Sequence, residues 1–186
     1  MIRPATDADA PALAALHVRT WQAAYRGLMP QEYLDGLDPA QRVPGWREWI
    51  RDLRPPAGIW VLDDGGLAGF LTMSGHDDVG EIHAIYLAPE RWGQGLGREL
   101  MAFALDHLTA AGFTEAVLWT LDTNERARRF YEAGGWTVDG GARVDETRGA
   151  AMTEIRYRRP LAPPEHLAAP GDDSAESQGE QTDLAG

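Results

Sequence analysis

The spacing of apolar residues changes from helical to strand-like near residue 58. Before that point Leu13, Leu16 and Trp21 recur as on one face of a helix, which Pro11 can enter at its first turn. After it, short runs rich in β-branched and aromatic residues dominate. The pattern predicts further helices over residues 31–37, 39–52, 95–111 and 124–133, and strands over residues 2–4, 58–62, 67–74, 81–87, 115–121 and 151–158.

The order of these elements predicts one mixed α/β domain. The Asp-Asp-Gly-Gly sequence at residues 63–66 is typical of a hairpin between two antiparallel strands. The strand, helix and strand that follow, over residues 81–121, favour a parallel crossover. We therefore expect a single domain over residues 1–160, built on a central mixed, mostly antiparallel sheet flanked by helices.

The end of the chain has a different composition from the rest. Residues 161–186 are rich in proline, glycine and acidic residues and contain no Lys or Arg. Their six carboxylates carry half of the net charge of −12. Such a segment lacks the apolar surface needed to fold, so we expect an acidic, disordered C-terminal tail over residues 161–186.

Composition limits the function classes that need to be considered. The acidic body argues against nucleic acid as a partner and weakly favours a cationic substrate. The chain has no cysteine, which excludes disulfides and thiolate catalysis, and its histidines show no metal-ligand spacing, so no metal site is expected. Without a long apolar run or a signal-peptide pattern, we expect a cytoplasmic monomer or homodimer that does not contact membranes.

Three glycines alternate where the strand over residues 81–87 gives way to a helix. The first N–H groups of a helix have no internal partner, and glycines let an anion approach them closely. Gly93, Gly95 and Gly97 therefore predict a phosphate-binding turn. The Walker pattern fails because the chain contains no lysine, and the dinucleotide fingerprint fails because only one residue separates the second and third glycines.

Two segments together resemble the GNAT superfamily of N-acetyltransferases. Residues 85–100, IYLAPERWGQGLGREL, resemble the acyl-CoA-binding segment, whose usual pattern is Gln/Arg-x-x-Gly-x-Gly/Ala. Trp92 stands where that pattern has a polar residue. Residues 124–136, NERARRFYEAGGW, match the family pattern Asn-x-x-Ala-x-x-Phe-Tyr-x-x-x-Gly-Phe/Trp in register. The resemblance implies a GNAT-like acyl-CoA N-acyltransferase fold with acetyl-CoA as co-substrate.

The resemblance also implies where the coenzyme binds. The main chain around Leu87 and Ala88 would pair with the pantetheine arm, with an N–H near Leu87 as the oxyanion donor. Asn124 can hydrogen-bond the same arm. From their positions and charge, Arg98, Arg128 and Arg129 are candidates to meet the phosphates, and Arg98 directly follows the loop. The diphosphate would be held by the amides of Trp92, Gly93, Gln94, Gly95, Leu96 and Gly97.

The reaction implied is transfer of acetyl to a primary amine of a small molecule or peptide, by direct attack in a ternary complex. By resemblance Tyr131 is the acid that protonates the leaving thiolate. Glu81 and His83 lie near the loop on one face of their strand, and either is a candidate for the base that takes the proton of the amine. The sequence does not choose between them.

The acceptor site is expected among the N-terminal helices. Aromatic and acidic side chains cluster there in the sequence, a combination that suits a cationic amine. They are Trp21, Tyr25, Glu32, Tyr33, Asp35 and Trp46.

Two other classes of protein remain open at this point. A regulatory domain with the same fold would bind acyl-CoA without catalysis. A nucleotide-binding protein would use the same turn for a different phosphate ligand.

Overall fold

The computed structural model describes residues 1–161 of the chain. Its seven strands form one sheet in the order β1-β2-β3-β4-β5-β7-β6. All neighbouring strands are antiparallel except β4 and β5, which are parallel. The strands are β1 (Ile2–Pro4), β2 (Gly58–Asp63), β3 (Leu67–His76), β4 (Val79–Leu87), β5 (Glu115–Leu121), β6 (Thr137–Asp145) and β7 (Met152–Pro160).

Helices cover both faces of the sheet. On one face Leu100 and Leu108 of a long helix bury themselves against Leu71, Ile82 and other strand residues. On the other face Leu13 and Trp46, from two N-terminal helices, pack on Phe70. Burial of these apolar side chains is the main force holding the layers together. The helices are α1 (Ala10–Ala24), α2 (Gln31–Asp35), α3 (Pro39–Asp52), α4 (Leu96–Ala110) and α5 (Glu125–Ala133).

The parallel pair β4 and β5 separates halfway along its length. The paired residues run from Val79 and Glu115 to Ile82 and Leu118, and no further. At the same place β4 contains a β-bulge, because Met73 pairs with Ile82 while Thr72 pairs with Ala84. His83 is the extra residue of this bulge. The second half of β4 therefore has one edge without a partner strand among the described residues.

Most predicted elements are confirmed, and the mixed, mostly antiparallel sheet flanked by helices is confirmed with them. The strand β6 was missed, since Asp139, Gly140 and Gly141 are typical of a turn. The structure accommodates them as a register shift between Val138 and Ala142 in an edge strand whose residues are mostly exposed. The predicted tail lies, apart from Leu161, outside the described residues, so the domain boundary stays a prediction.

Among residues 1–161, no helix combines the length and the apolar character that a membrane crossing requires.

Candidate active site

The glycine turn between β4 and α4 has the conformation that its sequence predicts. Gly93 and Gly95 have φ angles of 75° and 85°, in the left-handed region that side chains other than glycine rarely adopt. Gly95 is the N-cap of α4 and Gly97 lies in its first turn. The turn thus places the start of a 15-residue helix at the open edge of β4.

Five consecutive main-chain N–H groups in this turn have no acceptor within the part of the chain that the structure describes. They belong to residues 93–97. The next amides, of Arg98 and Glu99, both donate to the Gly95 carbonyl. The Trp92 amide is also occupied, because it donates to the Pro89 carbonyl at 3.3 Å. The N–H groups available to an anion are therefore those of residues 93–97, one fewer than the sequence suggested.

The side chain of Trp92 closes one side of the turn. Its indole N–H donates to the Leu87 carbonyl at 3.0 Å. The guanidinium of Arg126, from the first turn of α5, stacks on the indole ring at 3.7 Å from the ring centroid. Trp92, which stands where the family pattern has a polar residue, thus holds the Arg126 guanidinium beside the turn. Arg126 was not predicted as a site residue.

The open edge of β4 presents one main-chain donor at its end. The Ala88 N–H donates to Ala68 of β3 at 2.9 Å, so strand alternation turns the N–H and carbonyl of Leu87 toward the open edge. The Leu87 carbonyl is already bonded to Trp92 and, at 3.2 Å, to the Thr20 hydroxyl. Ala88 is buried, and its carbonyl accepts from Arg91. Main-chain pairing with a ligand is therefore left to Leu87 and not to Ala88.

A cavity of about 310 Å³ follows this edge from the glycine turn into the gap between β4 and β5. Its walls come from both predicted motifs and from α1. Of the predicted site residues, the cavity is lined by His83, Leu87, Trp92, Gly93, Gly95, Gly97, Arg98, Asn124 and Tyr131.

Gln94 and Leu96 leave free the amides that were predicted to bind the coenzyme, whereas Arg128 and Arg129 lie away from the cavity. The Gln94 side chain bonds back to the Glu90 carbonyl, and Leu96 does not line the cavity, so these two residues offer only their amides. Arg128 also lies outside the cavity, because its guanidinium donates to the Asp122 carbonyl at 3.0 Å and to the Tyr157 hydroxyl at 3.3 Å. Arg98 and Arg126 are the arginines that line it.

Asn124 and Tyr131 each make contacts within the fold and also line the cavity. The Asn124 side chain caps α5 by accepting from the Ala127 amide, and it also lines the cavity. The Tyr131 ring packs against Phe130 and Tyr157. Its hydroxyl forms no hydrogen bond to any residue the structure describes, and burial raises the pKa of this phenol. Tyr131 is therefore a neutral O–H donor facing the cavity.

The two candidate bases lie in contact with each other. The Nδ1 atom of His83 lies 3.3 Å from the Glu81 carboxylate, and its Nε2 atom lies 2.7 Å from the Ser74 hydroxyl. The bond from His83 lowers the pKa of Glu81. A carboxylate accepts from Nδ1–H, so the network leaves Nε2 as an acceptor for the Ser74 O–H. Ser74, on the neighbouring strand β3, was not predicted.

A second cavity of about 220 Å³ adjoins the first. His83, Tyr86 and Trp119 line both cavities, so the two meet at the separation of β4 and β5. The Tyr86 hydroxyl bonds to that of Tyr25 at 2.8 Å at this junction. Glu81 lines only the second cavity.

The second cavity contains some of the residues predicted for an acceptor site. Trp21, Tyr25 and Trp46 line it. Glu32, Tyr33 and Asp35 line neither cavity. Its charged residues are instead Glu81 of β4, Arg143 of β6, Arg148 of the loop after β6, and Glu154 of β7. Within residues 1–161, no group of three His, Asp or Glu side chains is placed to hold a metal ion.

Comparison with known proteins agrees with this geometry. A model of the acetyltransferase (GNAT) family matches residues 19–136. YuaI, an uncharacterized N-acetyltransferase of Bacillus subtilis, is 32% identical over 141 residues, which cover 71% of this chain and 77% of that protein.

Two solved structures share the fold. The PaiA N-acetyltransferase of Thermoplasma acidophilum, in complex with coenzyme A, superposes with a TM-score of 0.65 at 19% identity, over 87% of this chain and 98% of its own. YncA of Salmonella typhimurium, with acetyl-CoA, has a TM-score of 0.64 at 20% identity, over 92% of this chain and 98% of its own.

Proposed function

The chain belongs to the acetyltransferase (GNAT) family, and we propose that it transfers an acetyl group from acetyl-CoA to a primary amine of a small molecule or peptide. The observation that carries this proposal is the run of five unbonded N–H groups over residues 93–97. They begin a helix and border a cavity that Tyr131 also lines. The relatives of the same fold that hold coenzyme A and acetyl-CoA support the choice of co-substrate.

The described residues fit the coenzyme in three places. The N–H groups of residues 93–97, with the helix dipole behind them, suit the diphosphate. Arg126 and Arg98 line the same cavity and add positive charge. The open edge of β4 suits the amide-containing pantetheine arm, which can bond to the main chain as an added strand would.

Acetyl-CoA supplies the activated acetyl group, and side chains of the protein accept and donate the protons. We assign His83 as the base that takes a proton from the amine, with Glu81 as a positioning residue that holds the imidazole. The Leu87 N–H stabilises the negative charge that develops on the acetyl oxygen. The nitrogen–carbon bond forms, the carbon–sulfur bond breaks, and Tyr131 gives its proton to the departing sulfur.

The arrangement of the two cavities supports direct transfer in a ternary complex. One cavity borders the proposed coenzyme site and the other borders Glu81, and His83 lines both. An amine in the second cavity therefore has a path to the thioester that needs no acetylated residue on the enzyme.

Two measurements test the proposal against the alternatives. Acetyl-CoA at about 100 times its Kd should stabilise the protein by about 2.7 kcal/mol, and ATP and NAD at equal concentrations should not. Release of free thiol from acetyl-CoA, followed with a panel of amines, should then show amine-dependent turnover. Stabilisation without turnover would indicate a regulatory domain, and stabilisation by ATP or NAD alone would indicate a nucleotide-binding protein.

A further inference from the structure

Aromatic and charged side chains line the second cavity, and the proposed reaction assigns no role to most of them. The imidazole of His17 lines this cavity, with the rings of Trp21 and Trp46 edge-on to it at 4.9 and 5.6 Å. The ring of Tyr86 stacks on it at 5.8 Å. At about 220 Å³, the cavity has room for a small molecule with an apolar body.

The buried carboxylate of this cavity is already neutralised. Glu154, with 8% of its surface exposed, is paired with Arg143 at 2.7 Å and with Arg148 at 3.3 Å. Arg148 also contacts Asp145 at 3.1 Å. Because Glu154 has two guanidinium partners, it is not available to hold the cationic end of a polyamine.

The aromatic face that would attract a cation is also occupied. The guanidinium carbon of Arg148 lies 5.0 Å from the centroid of the Trp21 ring, and that of Arg42 lies 5.8 Å from it. Arginine thus occupies the cation–π position on the Trp21 ring.

The charges that line the cavity balance, since Arg143 and Arg148 are matched by Glu81 and Glu154, but Arg148 keeps free donors for an anionic group. Arg148 uses Nη1 for both of its carboxylate partners, and its Nε and Nη2 atoms have no acceptor within residues 1–161. Burial, with Arg42 and Arg148 nearby, lowers the pKa of His17 to about 3, so this imidazole stays neutral. The Nδ1 atom of His17 is buried and has no hydrogen-bond partner in the described chain.

We propose that the acceptor is a free amino acid with an apolar or aromatic side chain, whose carboxylate binds Arg148 and whose amine lies at His83. This inference rests on the proposed function and narrows its substrate. Arg148 and His83 both line the second cavity, so a ligand there would find a guanidinium for its carboxylate and the proposed base for its amine. The aromatic walls would contact the side chain.

The test compares matched acceptors on the wild-type enzyme. Phenylalanine and phenylalaninamide differ only in the carboxylate, and leucine with leucinamide forms a second pair. We expect kcat/KM for the better amino acid to exceed that of its amide, and that of spermidine, by about tenfold. The amide has the more acidic ammonium group and hence more free amine, so this preference cannot arise from amine basicity.

A variant pair then identifies the residue responsible. Arg148→Gln should raise KM for the amino acid about tenfold or more, leave KM for acetyl-CoA unchanged, and leave the amide unaffected, with partial recovery in Arg148→Lys. The matched control is Arg129→Gln, a 71% exposed arginine that lines neither cavity. If Arg148→Gln does not fold, the comparison of acceptors on the wild-type enzyme still tests whether the acceptor is an amino acid.

The outcomes separate this inference from the function on which it rests. Faster turnover of an amide or of spermidine than of any amino acid would contradict the proposal that the acceptor is an amino acid. It would still support the acetyltransferase function. Equal losses for acid and amide in Arg148→Gln would overturn the role of Arg148. Binding of acetyl-CoA without turnover of any amine would overturn both proposals.

Discussion

His83 and Glu81 contact each other across the β-bulge of β4, with 3.3 Å between Nδ1 and a carboxylate oxygen. The carboxylate fixes the imidazole so that Nε2 is the acceptor nitrogen, and Nε2 bonds to Ser74 in the absence of substrate. The two residues therefore act as one base in our proposal. His83 contacts the amine, and Glu81 positions His83.

This division predicts unequal effects of substitution. His83→Ala should lower kcat about 100-fold, which is typical of losing a general base. Glu81→Gln keeps a hydrogen-bond acceptor and should cost about tenfold in kcat, and the double variant should be no slower than His83→Ala. The control is His76→Ala, because His76 is 90% exposed on β3. Additive losses in the double variant would mean that the two groups act separately.

Removal of the Tyr131 hydroxyl should slow acetyl transfer and leave the binding of acetyl-CoA unchanged. Tyr131→Phe keeps the ring packed against Phe130 and Tyr157 and deletes only the O–H. We expect kcat to fall about 100-fold while the Kd for acetyl-CoA, measured by calorimetry, stays unchanged. Tyr33→Phe, at a residue outside both cavities, is the control. An unchanged kcat would remove Tyr131 from the mechanism.

Arg126 should contribute to coenzyme binding through its charge. Arg126→Ala removes the guanidinium that stacks on Trp92, and the Kd for coenzyme A should rise about tenfold, with a smaller rise at high salt. Arg129→Ala on the same helix should leave the Kd unchanged, since Arg129 pairs with Glu125 and lines neither cavity. Equal effects of the two substitutions would point to the net charge of α5 and not to a contact.

Acid should destabilise the protein through His17. Its folded-state pKa of about 3 lies below the value of about 6.5 expected in the unfolded chain. As pH falls below 6.5, the unfolded state takes up the proton first, so the free energy of unfolding decreases until pH approaches 3. Between pH 7.5 and 5.0 this loss should be about 2 kcal/mol.

The contribution of His17 can be isolated by substitution. His17→Phe keeps an aromatic ring beside Trp21 and Trp46 and cannot titrate. Urea unfolding at pH 7.5 and 5.0 should show that this variant loses about 2 kcal/mol less than the wild type. The window lies above the pKa values of ordinary carboxyl groups, so their titration contributes little. Equal losses in both proteins would show that His17 is not buried in its neutral form.

Local patterns were enough to predict the coenzyme side of the site. The turn over residues 93–97 and the capping of α5 by Asn124 depend on neighbours in sequence, and glycine backbone preferences and N-cap chemistry identify them. Contacts between distant segments were not visible in the same way. Arg126 meets Trp92 only after α5 folds back beside the turn, and Ser74 meets His83 only through strand pairing.

The acceptor side was harder to predict because it depends on the missed strand. Arg143 lies on β6 and Arg148 follows it, and a glycine pair inside that strand resembles a turn. Without β6, the sequence suggested acidic residues near α2 as the charged lining. Strand β6 and the loop after it contribute two arginines to the cavity instead.

A crystal structure of the protein with coenzyme A tests the central claim most directly. We expect diphosphate oxygens about 2.8–3.1 Å from several of the N–H groups of residues 93–97, and the pantetheine arm alongside Leu87 in the gap between β4 and β5. A diphosphate bound elsewhere, with these amides facing solvent, would contradict the account.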